Sequence, residues 1–399
     1  MRVGIICLLL AYGLSQFYRA FLAVLTPYLG ADIGMTPETL ATASSLWFVA
    51  FAALQIPVGI ALDRVGPRRT SALLFGLGTG GGAALFALAS QPWHIVLAMM
   101  LIGAGCAPVL VASYYIFARI YSPAVFATLA GAVISIGSLG NISSSYPLAW
   151  ALGFLGWRET VWCLAALSVL TALLVQFLVV DPPASEGGPQ GKMSELLRMR
   201  ALYPICGLLF VGYAPLAAIS GLWVGPYTHD VFGLDAEGIG AAALVIGLSM
   251  AAGSMLYGPV ERALRSRKWV ALTGSAVMGL ALYMLWATAG QSLLLSVALF
   301  GVIGFFGANY PVIMAQGRTF LPAHLTGRGV TLLNLFSVGG VGVMQFVSAR
   351  VYAAAPAQPV TAPYAAIFLT FALVVTVGVI IYAFSREAPA PVEIHSRAI

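Results

Sequence analysis

Long apolar stretches alternate with short polar ones along almost the whole chain. Each is at least as long as the roughly 20 residues that an α-helix needs to cross the hydrocarbon core of a bilayer. The pattern predicts twelve transmembrane helices in two sets of six, at residues 3–28, 40–62, 70–89, 93–118, 124–150, 158–180, 203–228, 238–259, 269–288, 291–316, 328–353 and 362–384.

One polar stretch separates the two sets of predicted helices. Residues 181–202 carry prolines, glycines and most of the charge in the middle of the chain, and they are too few to form a domain. We therefore predict a six-helix bundle at 1–180, a cytoplasmic linker at 181–202, a second six-helix bundle at 203–385 and a cytoplasmic tail at 386–399.

The two sets also repeat a loop. Gly59, Asp63 and Arg64 follow the second predicted helix, and Gly258, Glu261 and Arg262 follow the eighth, at an offset of 198 or 199 residues. A repeated offset of this kind indicates two pseudo-symmetric six-helix repeats that arose by duplication.

Composition narrows the class of protein. Hydrophobic residues make up 60% of the chain and charged residues only 8%, whereas a soluble domain has about 25% charged residues. The fold class is thus an all-α integral membrane protein with the lipid bilayer as its solvent. The net charge of +6 is spread over many short loops and forms no basic face, which excludes nucleic acid as a partner.

The distribution of basic residues predicts the orientation. If both termini are cytoplasmic, 16 of the 19 Lys and Arg residues lie in cytoplasmic loops and tails, as the positive-inside rule requires. The first apolar stretch continues to about residue 29 without a small-residue cleavage site, so we expect a retained helix. The protein is predicted to be a multi-pass protein of the cell inner (plasma) membrane.

A loop motif resembles a known family. The stretch Gly59-Ile-Ala-Leu-Asp63-Arg64-Val-Gly66-Pro-Arg68-Arg69 is similar to the GxxxDRxGxRR signature of the major facilitator superfamily, and Gly156-Trp157-Arg158 is also common in that family. The resemblance implies the major facilitator fold and secondary transport by rocker-switch alternating access. It also implies a conformational role for Gly59, Asp63, Arg64, Gly66 and Arg68, in which Gly59 would allow close approach of helices and Asp63 would cap a helix or pair across the two halves. A basic loop that only fixes topology would have the same composition.

Charged residues are almost absent from the predicted helix interiors. All thirteen Asp and Glu residues fall in loops, tails or helix ends, and the four histidines lie at the margins. A proton relay needs a titratable side chain inside the bundle, and a metal site needs clustered ligands. We therefore expect no catalytic residues, no metal site and no cofactor, and the protein is not predicted to be an enzyme.

Arg19 is the exception, because it lies deep within the first predicted helix. Tyr12, Gln16 and Arg19 are spaced i, i+4 and i+7 and share one helical face. No acid is near in sequence, so an anionic small-molecule substrate is the natural partner of the planar guanidinium. An arginine satisfied by backbone carbonyls, or one that snorkels outward, is the alternative.

Further resemblances concern the substrate. The segment from Gln16 to Leu29 loosely resembles the first helix of organophosphate and organic-anion transporters, in which this arginine binds substrate. Their second arginine is absent, because Ala217 stands six residues before Trp223 in Trp223-Val-Gly-Pro226-Tyr227. The loss of one cation favours a monoanion. The run from Gly137 to Ser143, which includes Asn141, weakly resembles nitrate and nitrite porters, although close helix packing by small residues is the favoured explanation.

The family resemblance also implies which helices line the central cavity, namely the first, fourth, seventh and tenth. It adds Tyr114, Tyr213, Asn309, Trp223 and Asn141 to the substrate-binding candidates Arg19, Gln16 and Tyr12. Each aromatic residue could instead be an interface anchor or a packing residue. Arg350, near the end of the eleventh helix, is expected to snorkel away from the cavity.

The sequence thus predicts a monomeric secondary transporter of a small mono-anionic solute, either carboxylate-like or nitrate-like. Three alternatives stay open at this point. The chain could be a proton-coupled carrier or exporter of a neutral amphipathic solute, a metal importer, or a receptor that does not transport.

Overall fold

A computed structural model describes residues 2–182, 195–196, 198–322 and 325–387. The regular structure in these ranges is entirely helical and forms twelve helices: α1 (Arg2–Ala20 and Leu22–Ile33), α2 (Pro37–Ala53 and Gln55–Arg64), α3 (Pro67–Ala87), α4 (Pro92–Ile120), α5 (Pro123–Ser143 and Tyr146–Leu155), α6 (Trp157–Leu178), α7 (Arg200–Phe232), α8 (Ala236–Leu264), α9 (Arg267–Ala287), α10 (Leu293–Thr319), α11 (Thr326–Ala354) and α12 (Ala362–Ala383).

The helices match the predicted membrane spans. Ten of them are long and apolar enough to cross a bilayer, and α2 adds an eleventh as a pair bent by 40°. Helix α5 completes the set with two shorter apolar segments. The prediction of an all-α membrane protein is confirmed. Most of the predicted linker and tail, including residues 183–194 and 388–399, lies outside the described residues.

Prolines account for three of the breaks within helices. The first segments of α2, α5 and α10 end at Ala53, Ser143 and Gly307, each four residues before a proline, namely Pro57, Pro147 and Pro311. Proline has no amide hydrogen, and its ring clashes with the carbonyl group four residues earlier. Each break is therefore encoded locally.

The first six helices pack mainly on one another, and so do the last six. Gly4 at the start of α1 packs against Leu178 at the end of α6, so the entry and exit of the first half lie at one end of the bundle. We refer to this end as the terminal face and to the opposite end as the distal face.

The two halves meet closely at the distal face. The first segment of α2 packs along α11, where the Ser45 hydroxyl donates a 2.8 Å hydrogen bond to the Gly342 carbonyl. The second segment of α5 packs on α8, and the Tyr146 hydroxyl donates to the Glu237 carboxylate at 2.8 Å. Gly225 of α7 lies against the Ala23 carbonyl of α1 and leaves no room for a side chain.

The terminal face is more open. The second segment of α2 packs on α3 and α4 of its own half. A Cβ atom added to Gly59 in α2 or to Gly258 in α8 would meet no other atom within 4 Å. The repeated glycines of the two halves therefore border open space in this conformation, whereas the distal ends of the halves are in contact.

Candidate functional site

Arg19 lies at the break in the middle of α1 and extends towards α2. Its Cζ atom is 5.3 Å from the ring centroid of Trp47 and 5.0 Å from that of Phe51. These two rings are stacked on each other, 5.4 Å apart and 13° from parallel. The cation is thus held against aromatic faces, which attract it through the ring quadrupole.

Arg19 forms no ion pair and donates no hydrogen bond within the described ranges. The four ion pairs found there involve other arginines, and the buried Nε of Arg19 has no hydrogen-bond acceptor. The side chain is only partly buried. Its donors are therefore uncommitted, even though Arg19 lies between helices and not at a membrane surface.

Tyr12 and Gln16 lie on the same side of α1 as predicted from their spacing. The Gln16 amide donates a 2.8 Å hydrogen bond to the Tyr12 hydroxyl. Gly137 of α5 lies directly against the Tyr12 ring, and Gly140 lies against the Gly13 carbonyl. The glycines of this α5 run therefore act in close helix packing, which was the alternative to a nitrate-type signature.

Three further tyrosines surround this face of α1. Tyr114 of α4 and Tyr310 of α10 lie near Tyr12, and Tyr310 lies near Arg19 and Tyr213 as well. The rings of Tyr213 and Tyr310 are 5.8 Å apart. We refer to Arg19, Tyr12, Gln16, Trp47, Phe51, Tyr114, Tyr213 and Tyr310 as the central cluster, which both halves build.

Trp47 and Phe51 were not among the residues predicted from sequence. Their i, i+4 spacing places both rings on one face of α2, and that spacing was the available signal. Nothing along the chain links this face to Arg19, however, because the contact joins different helices.

The loop motif between α2 and α3 connects elements of the first half. Asp63 accepts a 3.0 Å hydrogen bond from the Tyr115 hydroxyl and lies 3.9 Å from the guanidinium of Arg119, both on α4. Arg68 binds Asp181 through its backbone N–H at 2.8 Å and its Nε at 3.4 Å. Arg64 is exposed, and Gly66 has a φ of +96° beside Asp181.

Two expectations for this motif are not met in this conformation. Asp63 was predicted to cap a helix or to pair across the two halves, and Gly59 to allow close approach of helices. Instead Asp63 pairs within its own half, and Gly59 borders open space. In this conformation the second segment of α2, which carries both residues, packs on α3 and α4 of its own half.

The twelve-helix fold and the loop motif agree with a comparison of the sequence with known families. The family model of the Major Facilitator Superfamily matches residues 8–345. The chain belongs to this superfamily. It is accordingly a multi-pass membrane transporter and not an enzyme. A comparison with curated protein sequences gave no match.

Solved structures of superfamily transporters have the same fold. The nucleoside transporter NupG gives a TM-score of 0.76 at 14% identity, covering 96% of this chain and 99% of that one. A bacterial homologue of the human lysosomal transporter Spinster, inward-facing and unoccupied, gives 0.74 at 17% identity, covering 95% of each chain. The D-xylose–proton symporter gives 0.74 at 13%, covering 97% and 98%. At these identities the similarity establishes the fold alone.

Three predicted residues lie outside the central cluster. The buried Asn309 amide donates to the Ala271 carbonyl at 3.2 Å and to the Ser275 hydroxyl at 2.8 Å, so it joins the break in α10 to α9. Fully buried Trp223 donates to the Ser348 hydroxyl at 2.9 Å. Partly buried Asn141 lies at the contact of α5 with α8, its Oδ1 3.7 Å from where a Gly247 Cβ would be.

These placements correct the site expected of a superfamily member. The donors of Asn309 and Trp223 are already used inside the second half, because polar groups buried between helices need partners. Both residues therefore act in helix packing within the second half, and Asn141 belongs to the interface between halves. Arg350 is exposed and its guanidinium lies 5.1 Å from the Phe346 ring, away from the cluster.

Two acidic residues at helix ends of the distal face are hydrogen-bonded to aromatic neighbours. Asp32 accepts a 2.8 Å hydrogen bond from the Trp157 indole, and Asp230 accepts one from the Tyr364 hydroxyl. No Asp, Glu, Lys or Arg is fully buried among the residues that the structure describes. Within the same ranges, no group of three or more potential metal ligands is found.

Proposed function

We propose that the protein is a secondary transporter of a small mono-anionic solute, which binds at the central cluster between the two halves. The single observation that carries this proposal is the state of Arg19. It is the one charged side chain of the cluster, and within the described residues it has neither an ion pair nor a hydrogen bond.

The energetics favour a ligand for this guanidinium. An arginine at the centre of a membrane helix costs at least about 2.5–3.5 kcal/mol. Contacts with aromatic faces offset about 0.5–2 kcal/mol of that cost. A planar guanidinium can also donate two parallel hydrogen bonds to a carboxylate or nitrate, so an anion supplies the missing stabilisation.

The charge balance favours a monoanion over a dianion. Ala217 of α7 occupies the position of the second cation of phosphate-type relatives. The second half contributes neutral groups to the cluster, among them Tyr213 and Tyr310, which hydrogen-bonds the Asn334 amide oxygen at 2.9 Å. One cation among neutral groups neutralises one negative charge.

The orientation of this transport is also part of the proposal. Basic residues at the terminal face support a cytoplasmic location for both termini. The protein would then lie in the inner or plasma membrane and, in this conformation, be open towards the cytoplasm. Alternating access requires a second state in which the terminal ends of the halves meet.

A second candidate substrate is a neutral amphipathic solute. The observation that favours it is the number of rings in the cluster, namely those of Tyr12, Trp47, Phe51, Tyr114, Tyr213 and Tyr310. Aromatic rings bind apolar groups and present polar edges. On this alternative Arg19 would be a structural residue that is held by Trp47 and Phe51.

Ligand-dependent melting of the purified protein separates these candidates, since a ligand stabilises the state that binds it. The probes are nitrate and benzoate as monoanions, sulfate as a dianion, and benzamide as the neutral counterpart of benzoate. We expect a monoanion to raise the melting temperature and to drive counterflow in proteoliposomes. Equal stabilisation by benzoate and benzamide would contradict the anion proposal and support the neutral solute.

Coupling to protons needs no membrane carboxylate on this proposal. Asp32, Asp230 and Glu237 are engaged at the distal face and lie outside the cluster. Neutralising each acid in turn should leave any substrate-driven proton flux in place. An acid whose loss abolishes proton flux while exchange continues would contradict this expectation.

A further inference from the structure

Gln345 of α11 is the most completely unsatisfied buried polar side chain among the residues that the structure describes. It is 0% exposed, yet neither its Oε1 nor its Nε2 has a hydrogen-bond partner. The polar groups one turn along are already paired, because Ser348 donates to the Gln345 backbone carbonyl at 2.7 Å and accepts from the Trp223 indole. The amide has one acceptor and two donor positions to fill.

The register of α2 and α11 places Gln345 near the height of Trp47. These helices run antiparallel, and Gly342 lies against α2 at Phe48 and Val49. Gln345 follows Gly342 by three residues, and Trp47 precedes Phe48 and Val49 by one and two residues, so both lie on the same side of this contact. With a rise of about 1.5 Å per residue, Gln345 and Trp47 lie within about one helical turn of the same height.

Two more buried donors at this level have no partner. They are the indole Nε1 of Trp47 and the Nε of Arg19, whose guanidinium lies over the Trp47 ring. Native interiors leave few buried polar groups unpaired. Three such groups at one level, contributed by α1, α2 and α11, point to a ligand that satisfies them together.

We propose that Gln345 and the Trp47 indole form a neutral subsite next to Arg19, which hydrogen-bonds an uncharged polar group of the substrate. This inference rests on the proposed function, since Arg19 takes the anionic end. It names the substrate class as an organic monocarboxylate that also carries a hydroxyl or carbonyl group. An inorganic monoanion such as nitrate has no second group to fill this subsite.

The first test needs no knowledge of the substrate. Gln345→Met keeps the size of the side chain and removes its hydrogen-bonding groups. Gln316→Met is the matched control, because Gln316 is also 0% exposed but donates to the Arg386 carbonyl at 2.9 Å and accepts from the Tyr382 hydroxyl. We expect Gln345→Met to keep or raise the melting temperature of the ligand-free protein and Gln316→Met to lower it.

The second test measures specificity by titration calorimetry with matched acids. The pairs are propionate with lactate and benzoate with 4-hydroxybenzoate. In wild-type protein we expect the hydroxylated member of at least one pair to bind about three- to tenfold more tightly, as one added neutral hydrogen bond allows. Gln345→Met should remove that preference, and Trp47→Phe, which keeps the ring beneath Arg19, should reduce it.

The outcomes distinguish this inference from the proposed function. If acids bind and Gln345→Met keeps the hydroxyl preference, the neutral subsite is wrong and the anion site stands. If Gln345→Met lowers the melting temperature as much as Gln316→Met does, Gln345 is a structural residue and the inference also fails. If no acid of either pair binds wild-type protein, the monocarboxylate class fails, and the anion site stands only if nitrate raises the melting temperature.

Discussion

Helices α1 and α7 occupy corresponding places in the two halves and differ in one decisive residue. Arg19 and Ala217 are separated by the same 198 residues as Asp63 and Glu261. Just beyond each position the helix is irregular, since α1 breaks at Phe21 and α7 widens into a π-helical turn at Ile219–Trp223. The backbones are thus interrupted alike, whereas only the first half carries the cation.

The repeated loops show the same divergence. Asp63 connects the end of α2 to α4 through Tyr115 and Arg119. Its counterpart Glu261 binds Arg267 at 2.6 Å, six residues away at the start of the next helix. The first-half loop therefore links separate helices, whereas the second-half loop closes a local hairpin. Duplication accounts for the shared helix order, and side-chain divergence then separates the roles of the halves.

Removing the cation of the first half is expected to have the largest effect. Arg19→Gln should weaken binding of a monoanionic ligand by about 10- to 150-fold, because hydrogen bonds to a charged group contribute about 1.5–3 kcal/mol. Folding should be retained, since the substitution removes an uncompensated charge. Calorimetry and thermal melting on purified protein measure the two quantities.

Arg350→Gln is the matched control for this experiment. Arg350 is exposed beside Phe346 on α11, so its loss should leave affinity and melting temperature nearly unchanged. Poor expression of Arg19→Gln, with normal affinity in the protein that survives, would identify Arg19 as a structural residue. The two halves would then not differ in their contribution to anion binding.

Arg19→Lys should have an intermediate effect. Lysine retains the charge but loses the planar pair of donors. We expect affinity to recover to within about tenfold of wild type, since part of the 1.5–3 kcal/mol contribution depends on geometry. A lysine variant as weak as Arg19→Gln would mean that charge alone contributes little to binding.

The loops offer a smaller contrast. Asp63→Asn should slow transport several-fold and leave equilibrium affinity within a few-fold, because exposed ion pairs contribute about 0.2–1 kcal/mol. Glu261→Gln should slow transport less, since Glu261 contacts only its own hairpin. Initial uptake rates in proteoliposomes, paired with binding isotherms, test both. A large loss of affinity in Asp63→Asn would place the motif in the binding site instead.

Tyr146→Phe is expected to have the smallest effect. This change removes the exposed hydrogen bond from α5 to Glu237 of α8, which joins the halves at the distal face. A hydrogen bond contributes about 0.5–1.5 kcal/mol, and the exposure of this one places it at the lower end, which corresponds to a shift of about twofold in the ratio of the two conformations. The labelling rate of a cysteine placed near Tyr146 reports that ratio. An unchanged labelling rate would show that this hydrogen bond does not stabilise the observed conformation.

Much of the architecture is predictable from local sequence properties. Apolar length marks the helices, and Pro57, Pro147 and Pro311 mark three of their breaks, because both effects act within one or two helical turns. The spacing of Tyr12, Gln16 and Arg19 also predicts a shared face, since a helix repeats every 3.6 residues.

The candidate site was less predictable. Asn309 and Trp223 lie in helices that line the cavity in this superfamily. The Asn309 amide nevertheless donates hydrogen bonds to α9, and the Trp223 indole donates one to α11. Each residue advances a helix by 100°, so an error of one or two residues in register moves a side chain from the cavity to a helix–helix contact. Sequence alone does not fix that rotation.

By itself, the sequence determined the membrane class, the repeat, the three helix breaks at prolines and the presence of one deep cation without an acid near it along the chain. Only the tertiary structure decided that Trp47 and Phe51 lie beneath that cation, that Gln345 is buried without a partner, and that the halves meet at the distal face. The physical reason is that hydropathy and proline act locally, whereas contacts between helices depend on rotations and crossings that many distant residues set together.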